Sequence, residues 1–223
     1  MTNKEQADRL LAMLRLTSKD RYVSRRLVLT VLWEKMRFLI SQKLRDRSLY
    51  REENLYTTID CMEFEPIQGY ACDIVEFRSC KNIMKSKKPI KGLIYSRYGS
   101  SIRMVTNLDS SERLNRTTPT DHIRNTKRKG YKAEPAFYDR NGYLYILETS
   151  MERGVVDLIT LNLKEAEEIS SCSRKQNCKS ILDYEFVGSD KLKEVAIQEA
   201  YNEITSLYLS VPPDENPNNN ENR

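Results

Sequence analysis

LYTTIDCMEFEP, residues 55–66, is where the chain changes period. Tyr56, Thr58, Asp60, Met62 and Phe64 alternate against Thr57, Ile59, Cys61 and Glu63. β-Branched and aromatic residues dominate the run, as a half-buried strand requires. Upstream the spacing is helical, and neither proline nor glycine occurs before Pro66. Leu10, Leu11, Leu14 and Leu16 predict a first helix. Thr17-Ser18 predicts the N-cap of a long second helix over 19–47, about 43 Å at 1.5 Å per residue. Tyr22, Leu29, Met36 and Ile40 mark its stripe, widened by Leu32, Trp33 and Leu39.

Downstream, strands are predicted at YACDIVEFR (70–78), GLIYSRY (92–98), SIRMVTNL (101–108) and VVDLITLNL (155–163), with a turn at Gly99-Ser100. The clearest hairpin is EPAFYDRNGYLYILE (134–148), because Asn141-Gly142 tolerates the positive φ of a tight turn. Two basic segments, KNIMKSKKPIK (81–91) and NRTTPTDHIRNTKRKGYK (115–132), show no apolar period and read as exposed loops. Helical spacing then returns in KEAEEISS (164–171). It recurs behind Ser189 over 190–209, where Ile197, Tyr201, Ile204 and Tyr208 form a stripe. The last twelve residues, PPDENPNNNENR, have no apolar side chain beyond proline and are expected to be disordered alone.

The expected fold is therefore α+β. N-terminal long helices and a C-terminal helix form a helical layer, beside a β-rich middle unit and a disordered C-terminal tail. The expected parts are a helical 1–54, a β-rich 55–165, a helical 166–211 and a flexible 212–223. The two helical parts are expected to form a layer separate from the β-rich unit.

Composition narrows the chemistry. Seven glycines in 223 residues leave no G-x-G-x-x-G and no G-x-x-x-x-G-K-[ST] phosphate cradle. His122 is the only histidine, which removes His-rich zinc sites and two-histidine acid–base schemes. It is expected in a polar loop with no orienting partner. No Asp or Glu stands two residues before a lysine, so half of a common Mg²⁺-nuclease site is missing. The expectation is a protein that is not an enzyme and holds no cofactor or metal. No apolar run approaches the roughly twenty residues of a membrane span, so a soluble chain with no membrane partner is expected. Five cysteines, Cys61, Cys72, Cys80, Cys172 and Cys178, stand at irregular spacings and are expected to be reduced thiols in a cytoplasmic setting.

Charge is distributed in two blocks. Residues 1–133 hold 28 basic and 15 acidic side chains, +13, and residues 134–223 hold 9 and 17, −8, together +5. Opposite-signed parts suit self-association, and a basic part suits nucleic acid. Candidate contacts to DNA or a partner are Arg21, Arg25 and Arg26 on the long helix, Lys85, Lys87 and Lys88 in the first basic segment, and Lys127, Arg128 and Lys129 in the second.

Residues 18–67 carry a resemblance. Asp20-Arg21-Tyr22-Val23-Ser24-Arg25-Arg26-Leu27, then Phe38-Leu39-Ile40-Ser41-Gln42-Lys43-Leu44-Arg45-Asp46, then Tyr56 to Phe64 are similar to the opening of head-to-tail connector proteins of crAss-like tailed phages. The resemblance covers about a fifth of the chain. It implies a virion structural protein at the head–tail junction, assembled in the host cytoplasm. Such a protein forms a homo-oligomeric ring, usually of twelve copies. Its implied partners are the portal protein, other connector or tail rings, and genomic DNA touched transiently in the channel. The competing reading from charge alone is a basic nucleic-acid-binding regulatory or processing factor. Against it, the chain has no C-x-x-C finger, no helix-turn-helix signature and no aromatic RNA-binding strand pattern.

Overall fold

The computed structural model describes residues 1–17, 22–45, 55–67, 82–96, 99–126, 128, 134–172 and 179–209. The predicted strand at 70–78, the tail at 212–223 and the Thr17-Ser18 cap fall wholly or partly outside them. No helix among the described residues is long and apolar enough to cross a membrane.

Helix α1 (Asn3–Thr17) starts from a reciprocal cap. Thr2 Oγ1 accepts from the Glu5 amide at 3.2 Å, and the Thr2 amide donates to Glu5 Oε2 at 2.7 Å. Helix α2 (Arg25–Arg45) is shorter than the sequence suggests. Residues 22–24 are not helical, and Ser24 Oγ accepts from the Leu27 amide at 3.2 Å, so the cap is Ser24. At 21 residues α2 is about 31 Å long.

Seven strands close a barrel in the order β1-β2-β8-β7-β6-β5-β9. They are β1 (Thr57–Pro66), β2 (Ile83–Ser86), β5 (Ile102–Asn107), β6 (Arg113–Arg116), β7 (Ala136–Arg140), β8 (Tyr143–Leu147) and β9 (Arg153–Leu158). Closure leaves no row of unpaired backbone groups along the barrel. A two-stranded ribbon, β3 (Tyr95–Ser96) and β4 (Gly99–Ser100), stands beside it, so Gly99-Ser100 is a strand and not the expected turn. The Asn141-Gly142 hairpin forms as expected, with φ of 52° and 79°.

Both segments read as loops contribute structure. The first supplies β2, with Ile83, Met84 and Ser86 buried. The second supplies the end of β6 and helix α3 (Pro119–Thr126). β6 and β7 pair in parallel, and a parallel pair needs a crossover, which α3 provides. His122 lies on α3 and is buried, in place of the expected polar loop. Short amphipathic elements of four to eight residues carry too little periodic signal to stand out from a basic composition.

β1 breaks its own alternation. Ile59 pairs with Val156 and Met62 with Gly154, so Asp60 and Cys61 together oppose one residue of β9. This bulge puts Cys61 at φ 53° and turns Ile59, Met62 and Phe64 all towards the core. On the partner strand only glycine fits, since a Cβ on Gly154 would lie 2.7 Å from the Thr106 carbonyl oxygen.

The bulge is held from outside by the residues after α4 (Leu163–Ile169). Ser170 Oγ donates to the Asp60 carbonyl and Ser171 Oγ to the Cys61 carbonyl, each at 2.6 Å. Cys172 forms a disulfide with Cys61, a correction to the expectation of reduced thiols throughout. The two are 111 residues apart, and only the bulge and α4 bring them together. Cys72, Cys80 and Cys178 lie outside the described residues.

Helix α5 (Asp190–Ile204) follows Ser189 and continues as a π-helical turn over Thr205–Leu209. α1, α2 and α5 do form the expected helical layer, but the layer is not separate from the barrel. One core joins Leu10, Leu32, Met36, Ile40 and Ile197 to Leu55, Ile94, Ile159 and Phe186. The barrel's own core holds Ile59, Phe64, Val105, Phe137, Leu144 and Leu158. Leu158 and Ile159 are consecutive and both fully buried, one in each core. Buried Ser101 fixes that junction, its amide donating to the Ile94 carbonyl at 2.7 Å and its hydroxyl to the Ile159 carbonyl at 2.7 Å.

Two outcomes are expected. Leu158→Ala should cost about 2–5 kcal/mol and lower the unfolding midpoints of Trp33 fluorescence and far-UV circular dichroism together. Midpoints that separate would show that barrel and helices unfold independently. Non-reducing peptide mapping should recover Cys61 linked to Cys172. Reduction should lower stability by up to about 4–5 kcal/mol in the chain-entropy account of a loop this long. An unchanged midpoint after complete reduction would refute the cross-link's role.

Candidate functional site

The basic side chains singled out by the sequence occupy unlike places. Arg25 opens α2 and turns back onto α1, with Nε 2.9 Å and a terminal nitrogen 2.7 Å from Asp8 Oδ1. Arg26 follows it on the exposed side. Lys85 lies over the Tyr143 ring at 4.2 Å and near the Tyr145 ring at 5.8 Å. Lys87 Nζ is 3.0 Å from Glu63 Oε2, and Arg153 approaches the other Glu63 oxygen at 3.5 Å. The hydrogen bond from Lys87 holds the Glu63 carboxyl below its usual range. Lys88 Nζ donates to the Glu168 carbonyl at 2.8 Å, serving one of the last carbonyls of α4. Arg128 is exposed, and Arg21, Lys127 and Lys129 lie outside the described residues.

Thus Arg25, Lys85, Lys87 and Lys88 serve this subunit's own fold. β2 and the residues after it bring the three lysines to one stretch of barrel wall, while the α2 pair belongs to the helical layer. The opposite charges of the two sequence blocks also meet inside the subunit. Lys35 on α2 pairs with Glu203 on α5, and Arg116 on β6 reaches Asp139 on β7 at 2.5 Å. Arg116 also donates to the Ser100 carbonyl at 2.8 Å and to Ser100 Oγ at 2.9 Å, tying the β3–β4 ribbon to the barrel rim. Burial pushes the His122 pKa down, so its imidazole is neutral at neutral pH.

Two surfaces were missed by the sequence reading. The first is the outer face of α2, where Arg26, Glu34, Arg37, Phe38, Gln42 and Arg45 are exposed. Phe38 is 54% exposed in mid-helix. A signal existed, because Phe38 falls outside the stripe that Met36 and Ile40 define. The second is a groove made of two cavities, about 340 Å³ and 470 Å³, both bordered by Thr57 and Leu163. Asp60 and Glu167 line one, and Glu185 and Asp190 the other, with Phe186 and Ala166 among the apolar lining. Its residues come from three regions more than a hundred positions apart in part, so no local pattern announces it.

Tyr184 holds one of the groove's carboxylates. Its hydroxyl donates to Glu167 Oε2 at 2.7 Å, and burial together with this carboxylate pushes its pKa up to about 12.

An exposed aromatic beside arginine on a helix face has the composition common in interfaces between chains. The comparison with known families agrees. The model of the family described as phage tail ring protein 2, from crAss-like phages, matches residues 5–223, and the chain belongs to that family. No curated protein matches it. The crAss-like phage and the ring in the resemblance of residues 18–67 therefore stand, with the ring belonging to the tail, and the protein is a structural component of the virion.

The Tyr184 phenol supplies a pH test. Its folded-state pKa lies above the ordinary value of 10.0, so its contribution is complete below pH 10 and is lost as pH rises towards 12. Wild type should lose more stability across that window than Tyr184→Phe. Equal alkaline profiles would show that the phenol–Glu167 bond does not contribute.

Proposed function

We propose that this tail ring protein stands at the head–tail junction, joins the portal side to the tail and extends the channel through which the genome passes. The observation that carries the reading is the family match over residues 5–223, joined to the resemblance of residues 18–67 to head-to-tail connectors. A ring protein implies contacts with its own copies and with tail partners. We place the portal and neighbouring rings among those partners, with twelve copies as the expected stoichiometry. The role we assign is structural and not catalytic.

Contact with DNA follows from the same placement. A channel must let DNA slide, so its basic groups meet phosphates weakly and read no bases. With Arg25, Lys85, Lys87 and Lys88 used inside the subunit, the segment holding Lys127, Arg128 and Lys129 becomes the first choice for that contact. Arg128 is exposed, which favours the assignment.

Charge reversal at Lys127, Arg128 and Lys129 should leave rings intact and impair retention or ejection of DNA in tailed particles. Binding of the wild type to DNA should be weak, independent of sequence and steeply salt-dependent. Failure of ring assembly in the triple variant would reassign the segment to a protein interface. Tight binding to one DNA sequence at physiological salt would overturn the channel reading in favour of a regulator.

A further inference from the structure

We propose that neighbouring copies in the ring join by docking the outer face of α2, centred on Phe38, into the next copy's groove between β1, α4 and the start of α5. The inference rests on the ring reading and names the two surfaces through which the ring is built.

Phe38 needs an explanation that the subunit itself does not give. It is 54% exposed on an ordered helix, with Arg37 beside it and Arg45 two turns further on. Besides Arg25, which pairs with Asp8, the exposed charged residues of α2 are Arg26, Arg37 and Arg45 against one acid, Glu34. An aromatic flanked by guanidinium groups has the composition of an interface anchor, where aromatics and arginine dominate binding energy.

The groove has the complementary build. Phe186 and Ala166 give it an apolar lining. Of the exposed carboxylates on its borders, Asp190 faces the groove's one lysine, Lys193, at 3.6 Å and Glu167 accepts from Tyr184, while Asp60 and Glu185 stand beside them. Carboxylates accept paired hydrogen bonds from arginine while the lining receives the ring. Other basic groups are poorer occupants, because Arg25, Lys85, Lys87 and Lys88 already bind within their own subunit.

Geometry then excludes the subunit's own Phe38 as the occupant. Met36 is fully buried, and a Cβ placed on Gly188, which borders the groove, would lie 3.0 Å from Met36 Cε. Phe38 is two residues further along α2, about 200° around the helix. The groove wall and the Phe38 face therefore lie on opposite sides of the same helix. A subunit cannot fill its own groove with its own Phe38. Contacts between unlike surfaces repeat head to tail, and repetition closes a ring when the rotation is right.

The test uses three variants of the full chain, each checked for an unchanged unfolding midpoint. Phe38→Ala and Arg37→Glu should each raise the concentration at which rings dissociate by about tenfold or more, read by mass photometry. The double variant Arg37→Glu/Glu185→Arg exchanges the two charges and should recover assembly to within about threefold of wild type. Where rings form only in tailed particles, copies incorporated per particle give the same readout. Wild-type rings with undiminished stability in Phe38→Ala and Arg37→Glu would overturn this interface alone. So would loss in Arg37→Glu that the exchange fails to restore. A wild-type chain that forms no ring, free or in particles, would overturn the ring reading and the interface with it.

Discussion

The fold depends on one wall with two buried faces. At the end of β9 the side chain of Leu158 enters the barrel and that of Ile159 enters the helical layer. A strand alternates its side chains with period two, so consecutive apolar residues at a strand end can serve two cores only if both sides are covered. Covering the second side is what α1, α2 and α5 do. Their apolar stripes meet one another and the outside of the barrel in one core. Ser101 permits the junction by satisfying backbone groups of Ile94 and Ile159 where no water reaches them.

That dependence explains which parts of the fold were legible. The Asn141-Gly142 hairpin, β5, β9, α1 and α5 are elements whose local pattern and final environment agree, and each appeared near its expected place. The start of α2 was obscured because two good capping residues compete there. Thr17 instead ends α1, its hydroxyl donating to the Met13 carbonyl at 3.2 Å, while Ser24 caps α2. The β1 bulge was obscured for another reason. Its cause lies across the sheet and beyond it, in Gly154 and in Ser170, Ser171 and Cys172, none of which neighbours Cys61 in sequence.

Charge also acts inside the subunit. The +13 and −8 blocks suit self-association, yet Lys35–Glu203 and Arg116–Asp139 already join opposite signs of the two blocks within one subunit. Lys35–Glu203 is partly exposed, and exposed pairs contribute little to stability, typically less than about 1 kcal/mol. Their effect is to consume charge that a count along the sequence leaves available. Lysines of 81–91 illustrate it, since an aromatic ring, a carboxylate and a helix end each take one. The candidate contacts could be named from sequence, but whether each was already occupied could not.

What remains after that internal accounting bears on assembly. A ring closes only when each subunit holds its two contact surfaces at a fixed angle, because the same rotation recurs at every interface. A subunit with a loose hinge between helices and barrel would spread that angle and give open or irregular chains. Here the Phe38 face belongs to α2, whereas the groove is built from β1, α4 and the residues leading into α5. The shared core around Ile94, Ile159 and Phe186 is what fixes one relative to the other. A close-packed core transmits displacement instead of absorbing it. Cys61–Cys172 adds a covalent tie on the barrel side of the groove, beside Asp60 and Ser170. The mixed core is therefore more than a source of stability, since it sets the rotation that repeated docking must close.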